Sequence, residues 1–474
     1  MAGPAAGRGV AGAAIRLGGL WLGFSLLPAL RAATAPAEAV AAPAAAIVRV
    51  AAMRPQTAAA LLPPRPRAED NAAPLLMEAV AALETENVWD TTLATLATEA
   101  YSSGYSAPAG MNLVGLVEAL HLPAECNRSP TVDEVCGEFE RRLDGTAARQ
   151  ALALCAQAAA RPRCWFDLDY SLGPNLQLPH LATLRNLARF LAASAYALAE
   201  RGEGPAAWAC IVPQLQIADF LREEPLLITQ LVRIAVAKTA LATLQEVAAL
   251  TPPEAATYQH LDALLDRLDD AAPLVAAIDG ERLLLGEWVF SQPPEKVVEL
   301  LKASGEVKDA PALTAAQLAA ERAVYTAAVL HLADLAGQPY YQVKDDLARA
   351  PGSPGNADAV MASVVARSLL PVLATCCGKA AACQATVRVA RFGLRLMAYR
   401  AEQGAYPARL DGLQLADVAP AKQLDPFTGK ALCYRLEGNG FVLYSVGLDG
   451  TDNGGTPRQG DAQQDLDIVW RATR

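Results

Sequence analysis

The chain has 474 residues, of which 53% are hydrophobic, 19% charged and 6% aromatic, enough apolar material to bury a large core. The formal charge is −10 and no lysine or arginine cluster is interleaved with aromatics, which excludes a nucleic-acid partner, because phosphate binding needs a concentrated basic footprint. Alanine dominates the apolar residues, so close-packed helices are expected over sheets.

At the amino terminus, Arg8 and Arg16 precede an apolar run from Leu17 to Leu30, and small residues follow at Ala32, Ala33, Ala35, Ala37 and Ala39. This is the pattern of an export signal over residues 1–35. The run is shorter than the roughly 20 residues of a bilayer span, which favours cleavage. An uncleaved anchor beginning near Gly9 is the rival reading, and it alone would attach the chain to a membrane. Residues 36–73, with Pro55, Pro63, Pro64 and Pro66, have the composition of an extended tether.

Residues 74–378 are expected to form an α-helical, repeat-like domain. Leu181, Leu184, Leu187, Leu191 and Leu198 recur at helical steps, as do Trp208, Ile211, Leu215 and Ala218, and then Leu227, Leu231, Ile234, Ala237, Leu241 and Leu244. Capping boxes are expected at Thr131 with Glu134, Thr251 with Glu254, and Thr314 with Gln317. Pro213 is expected to kink its helix. The hairpin from Leu181 to Leu221 is similar to a tetratricopeptide unit in spacing. No clean repeat follows, so an irregular helical array is the description adopted. Ala350 to Asn356 reads as a loop, followed by helices at about Ala357 to Thr375 and Ala380 to Gln403, separated around Gly378.

Nine cysteines in an exported chain point to disulfides. Bridges joining Cys126 with Cys136 and Cys155 with Cys164 are expected, together with an inter-helix bridge among Cys376, Cys377 and Cys383. Cys210 and Cys433 read as buried free thiols.

The last segment, residues 379–474, carries most of the functional signal. A helix stops at Gly404, Tyr406-Pro407 leads the chain away, and Asp425-Pro426-Phe427-Thr428-Gly429 forms a turn. Leu432 to Leu436 and Phe441 to Ser445 read as strands of a hairpin around Glu437-Gly438-Asn439-Gly440, and Asp467 to Trp470 supplies a third. Between the last two strands, Asp449, Asp452, Asp461, Asp465 and Asp467 crowd beside Asn453. A hard divalent cation with oxygen ligands is the natural neutraliser; the alternative is a solvated acidic loop whose glycines only make turns. An EF-hand is rejected, because Gly460 stands where a bidentate glutamate is required.

This order of helix, Tyr-Pro, Asp-Pro turn, hairpin, Asp/Gly loop and final strand resembles the globular head of type II secretion major pseudopilins. The resemblance covers about a sixth to a fifth of the chain. It implies a small α+β head with a three-stranded antiparallel sheet and one calcium, with Asp449, Asp452, Asp465 and Asp467 as its ligands. Two features depart from the family: there is no short basic leader before an apolar assembly helix, and Arg388, Arg391 and Arg395 interrupt the helix before Tyr406. The head therefore reads as a folding module that does not polymerise.

His121, His180, His260 and His331 stand apart from one another and carry no metal-ligand spacing. Glu281 and Glu287, in an apolar stretch with Asp279 and Arg282, are the one place for acid chemistry, with the plainer reading that one of them faces water or pairs with Arg282. The fold class expected is mainly α: an irregular helical array followed by the small pseudopilin-like α+β domain. The function expected is that of an exported periplasmic or envelope protein, binding a protein or peptide partner through its helical domain. The alternatives are an exported hydrolase-like enzyme acting through Glu281 and Glu287, and a type II secretion accessory protein.

Overall fold

A computed structural model of the chain describes residues 54–85, 131–303, 312–350, 370–413, 415–457 and 467–473. The signal, the first part of the tether (residues 36–53), Cys126, the Ala350-to-Asn356 loop beyond Ala350, Asp461 and Asp465 lie outside the described residues. The fold is mainly helical, with one small three-stranded antiparallel sheet near the carboxy terminus.

In chain order the described helices are α1 (Ala58–Leu61), α2 (Ala73–Thr85), α3 (Val132–Leu143), α4 (Thr146–Ala159), α5 (Pro179–Glu200), α6 (Gly204–Phe220) and α7 (Leu227–Leu250). After these come α8 (Ala255–Leu268), α9 (Ala272–Gly280), a π-helical turn (Glu281–Gly286), α10 (Glu287–Phe290), α11 (Pro294–Ala303), α12 (Ala315–Ala336), α13 (Tyr340–Arg349) and α14 (Pro371–Gln403). The leucine stripe of α5 and the Trp208 stripe of α6 are buried against each other, and α7 packs on both and on α14. By length and composition α7 is apolar enough to cross a membrane, yet most of it is enclosed by these neighbours, as in the core helix of a globular array.

Local chemistry sets the helix ends. Thr131 with Glu134 and Thr314 with Gln317 form complete capping boxes. Thr251 does not: its amide closes α7 on the Val247 carbonyl, and α8 begins at Ala255, because two consecutive prolines keep the intervening residues extended. The helix α6 passes through Pro213 without ending, enclosed on several sides by α5, α7 and α8.

Residues 54–72 lie along the array instead of standing off as a tether. Their prolines leave carbonyls unused by any helix, and arginines of the array take them up: Arg163 donates to Pro64 O at 2.9 Å and Arg282 to Pro55 O at 2.7 Å. Asn71 exchanges hydrogen bonds with Trp165, and Ala72 N donates to Arg163 O at 2.8 Å.

The helix α14 is continuous through Gly378, where two helices were expected to part. A mid-helix glycine costs only about 1 kcal/mol, and here Leu448 and Tyr340 pack against its bare face. The boundary expected between residues 378 and 379 therefore falls inside one rod, and a single core joins residues of α5 to α8 with Val387, Phe392, Leu396, Phe441 and Trp470.

The cysteine bridges expected are not formed among the described residues. Cys155 and Cys164 are both free and buried. Cys376, Cys377 and Cys383 are free and share α14, so they join no two helices; six or seven residues of helix separate them by about 9 to 10 Å, beyond a disulfide's reach. Cys210 and Cys433 are free thiols, Cys210 buried and Cys433 half-buried. Burial pushes the thiols of Cys155, Cys210, Cys376 and Cys377 up to about 12, which leaves them unreactive.

Beyond Gly404, which takes the left-handed conformation at φ 80°, Tyr406 packs edge-on against Phe441 and the Pro407 carbonyl accepts the Tyr434 hydroxyl at 2.7 Å. Strands β1 (Cys433–Glu437), β2 (Gly440–Ser445) and β3 (Ile468–Ala472) follow, with β2 in the centre. Glu437 pairs with Gly440 across the hairpin turn. Asp425 is buried and ties the Asp-Pro turn to the end of β2: one oxygen accepts Phe427 N at 2.8 Å and the other Val446 N at 3.1 Å.

Candidate functional site

Every residue of β2 is buried, which an antiparallel strand achieves only when both faces of its sheet are covered. One face packs on α14. The Asp/Gly loop folds back over the other, placing Gly455 so close that a side chain there would meet Val442 and Tyr444. Gly454 and Gly455 both take positive φ, which gives the loop its reversal.

Asp467, 3% exposed, holds this cover in place. One carboxylate oxygen accepts Asn453 N at 3.3 Å; the other accepts Gly455 N at 2.7 Å and Thr456 N at 3.3 Å. Asp452 accepts the Tyr444 hydroxyl and Gly454 N, each at 2.9 Å. Burial, followed by Asp452, pushes the Tyr444 phenol up. Asp449 is exposed, accepting Thr451 N at 3.0 Å and the Asn453 side-chain amide at 3.4 Å. Asn453 thereby links Asp449 to Asp467.

Three of the four ligands expected for calcium thus belong to one organised loop, and the fourth, Asp465, lies outside the described residues. Among the described residues no three acidic, histidine or cysteine side chains stand as a ready ligand group. The donor set is nevertheless of oxygen alone, and each carboxylate keeps lone pairs beyond its amide partners, as a hard cation requires.

The second place is the π-helical turn. Its ends are glycines because neighbours leave no room: a side chain at Gly280 would strike Pro225 O, and one at Gly286 the Tyr325 ring. Single π-turns recur at functional sites, since the extra residue per turn re-aims the side chains. Glu281 points inward and accepts Leu227 N at 3.2 Å, and burial raises its carboxyl to about 7. Glu287 points outward and pairs with Arg322 of α12. Arg282 pairs with neither of them; it bonds Asp279 at 3.1 Å, and Asp279 also holds Arg54 at 3.1 Å. Beside the turn lies an open hollow of about 660 Å³ lined by Ala58, Arg282, Glu287, Ala319, Arg322 and Ala323, among others.

Sequence reasoning missed two sets of interactions. Arg388, Arg391 and Arg395 read only as interruptions of α14, whereas they face Asp269, Asp262 and Asp266 of α8 and its end, and Asp417. The matched steps of the acids along α8 and the arginines along α14 were the available signal. The other is His180, whose ring stacks on Phe166 at 4.2 Å and bonds Glu224 at 2.9 Å, with Thr229 donating to the same carboxylate. It is enclosed by protein, consistent with a structural role.

Comparison of the chain with protein-family models, with curated proteins and with solved structures finds no match.

Proposed function

We propose that this chain is an exported, non-enzymatic envelope protein that binds a protein or peptide partner through its helical array and carries a calcium-stabilised, pseudopilin-like head. The observation that carries the reading is the divergence of Glu281 and Glu287. A pair of acids working as general acid and base must face one substrate. Here one is half-buried and tied to the Leu227 amide and the other is tied to Arg322 on the surface, beside an open, alanine-lined hollow. Such a surface has the chemistry of a peptide-docking site.

The export reading rests on the amino-terminal pattern of basic, apolar and small residues. The pseudopilin reading rests on the order of α14, the Gly404 cap, the hairpin, the Asp/Gly loop and β3. Calcium is supported by the all-oxygen donor set of Asp449, Asp452 and Asp467 in a glycine-rich loop. The reading is tested by cross-linking the intact chain in its own cell envelope and mapping the cross-links by mass spectrometry. Cross-links from the helical array to a second protein are expected. None from the array, or a hydrolytic activity lost in the Glu281→Gln, Glu287→Gln double variant, would overturn the reading.

A further inference from the structure

We infer that the outer edge of β1 pairs with the same strand of a second copy of this chain, antiparallel about Leu436, so that two heads share one continuous sheet. The inference concerns the head alone and stands apart from the docking role of the helical array.

The free edge follows from the turn. Glu437 and Gly440 close a two-residue hairpin, so Glu437 and Arg435 aim their amides and carbonyls at β2, while those of Tyr434 and Leu436 aim outward. Among the described residues none takes up these outward groups. Edge strands are ordinarily blunted by a proline, a lysine or a bulge. β1 has none of these, its pairing with β2 is unbroken, and Leu436 is 48% exposed on it.

The side chains name the occupant. Arg435 and Glu437 stand two residues apart, on one face of the strand and on either side of Leu436. An antiparallel copy centred on Leu436 sets Arg435 opposite Glu437 of the other copy, twice, and the two leucines opposite each other. The register centred on Arg435 would instead oppose two arginines, so charge selects the first.

Glu437 has an oxygen to offer. Its Oε2 takes Arg471 at 2.6 Å, but its Oε1 meets Arg435 Nη2 of the same chain only at 3.6 Å, beyond a hydrogen bond. Both side chains are at the surface, 43% and 40% exposed, where so long a contact holds little energy and is readily exchanged. A pair made this way is closed, because each β1 edge satisfies the other.

Sedimentation velocity of the intact chain up to about 100 μM tests this. A reversible dimer is expected, and a weak one, because a five-residue strand buries far less than a standard interface. Arg435→Glu and Glu437→Arg, each alone, set like charges opposite one another and are expected to weaken the dimer at least about tenfold with little change in melting temperature. Mixing the two variants restores both opposite-charge pairs, so a heterodimer of parental affinity is expected. A parent that stays monomeric, a single variant that dimerises like the parent, or a mixture that does not associate overturns the inference. So does a Leu436 amide that gains hydrogen-exchange protection only from another envelope protein, which would assign the edge to a foreign strand.

Discussion

Arg388 grips both oxygens of Asp269, Nε to Oδ2 at 2.8 Å and Nη2 to Oδ1 at 3.0 Å, while its Nη1 donates to Leu424 O at 2.6 Å and Ala421 O at 3.1 Å. One buried guanidinium thus joins α14, the end of α8 and the segment that crosses to the head. Removing one partner of such a pair strands a charge. Arg388→Met is expected to destabilise the chain by about 3–5 kcal/mol in urea unfolding, and pairing it with Asp269→Leu to restore most of the loss. An additive double variant would show that the pair is not coupled.

Asp467 makes a separate prediction, because its carboxylate is the acceptor for three amides of the covering loop. Asp467→Ala is expected to lower stability by about 2–4 kcal/mol and to expose the outer face of β2 to solvent. Hydrogen exchange at Val442 and Tyr444 checks the exposure. The same variant is expected to lose any rise in melting temperature that calcium gives the parent.

Glu281 sets a pH dependence. Burial raises its carboxyl from 4.5 to about 7, so the folded state holds the proton more tightly than the unfolded state. The associated stability is complete below pH 4.5 and is lost as pH rises through 7. Glu281→Gln keeps an acceptor for Leu227 N without the charge. It is expected to be more stable than the parent by about 3 kcal/mol at pH 8 and to match it at pH 4.

Gly393 lies under the Trp470 ring so closely that a side chain would overlap it. An alanine in mid-helix ordinarily gains up to about 1 kcal/mol over glycine. Here Gly393→Ala is expected to cost about 1–3 kcal/mol, and Trp470→Leu to relieve the overlap, so that the double variant loses less than the sum of the two.

Much of the fold was legible because it is local. Hydrophobic period revealed the stripes of α5 to α7, and Gly404, Pro407 and the Gly438-Asn439 turn marked the ends of α14 and the hairpin. The three strands lie within two residues of where alternation and turn residues placed them. What escaped depends on contacts distant in sequence. Gly378 looks like a break until Leu448 and Tyr340 are seen against it, and the proline-rich stretch before Ala73 looks like a tether until Arg163 and Arg282 take its carbonyls. At the candidate sites, residue types identified the Asp/Gly loop, whereas the opposite facing of Glu281 and Glu287 follows from the π-turn, which no local signal announced.

The array and the head share one core, and calorimetry of the intact chain with calcium and then with a chelator tests most directly whether they unfold as one body that the proposed calcium stabilises. At 100 times its dissociation constant a ligand of the native state adds about 2.7 kcal/mol. With the arginines of α14 tying head to array, one transition is predicted, moving upward as a whole in calcium. Two transitions, or a midpoint indifferent to saturating calcium, would contradict it.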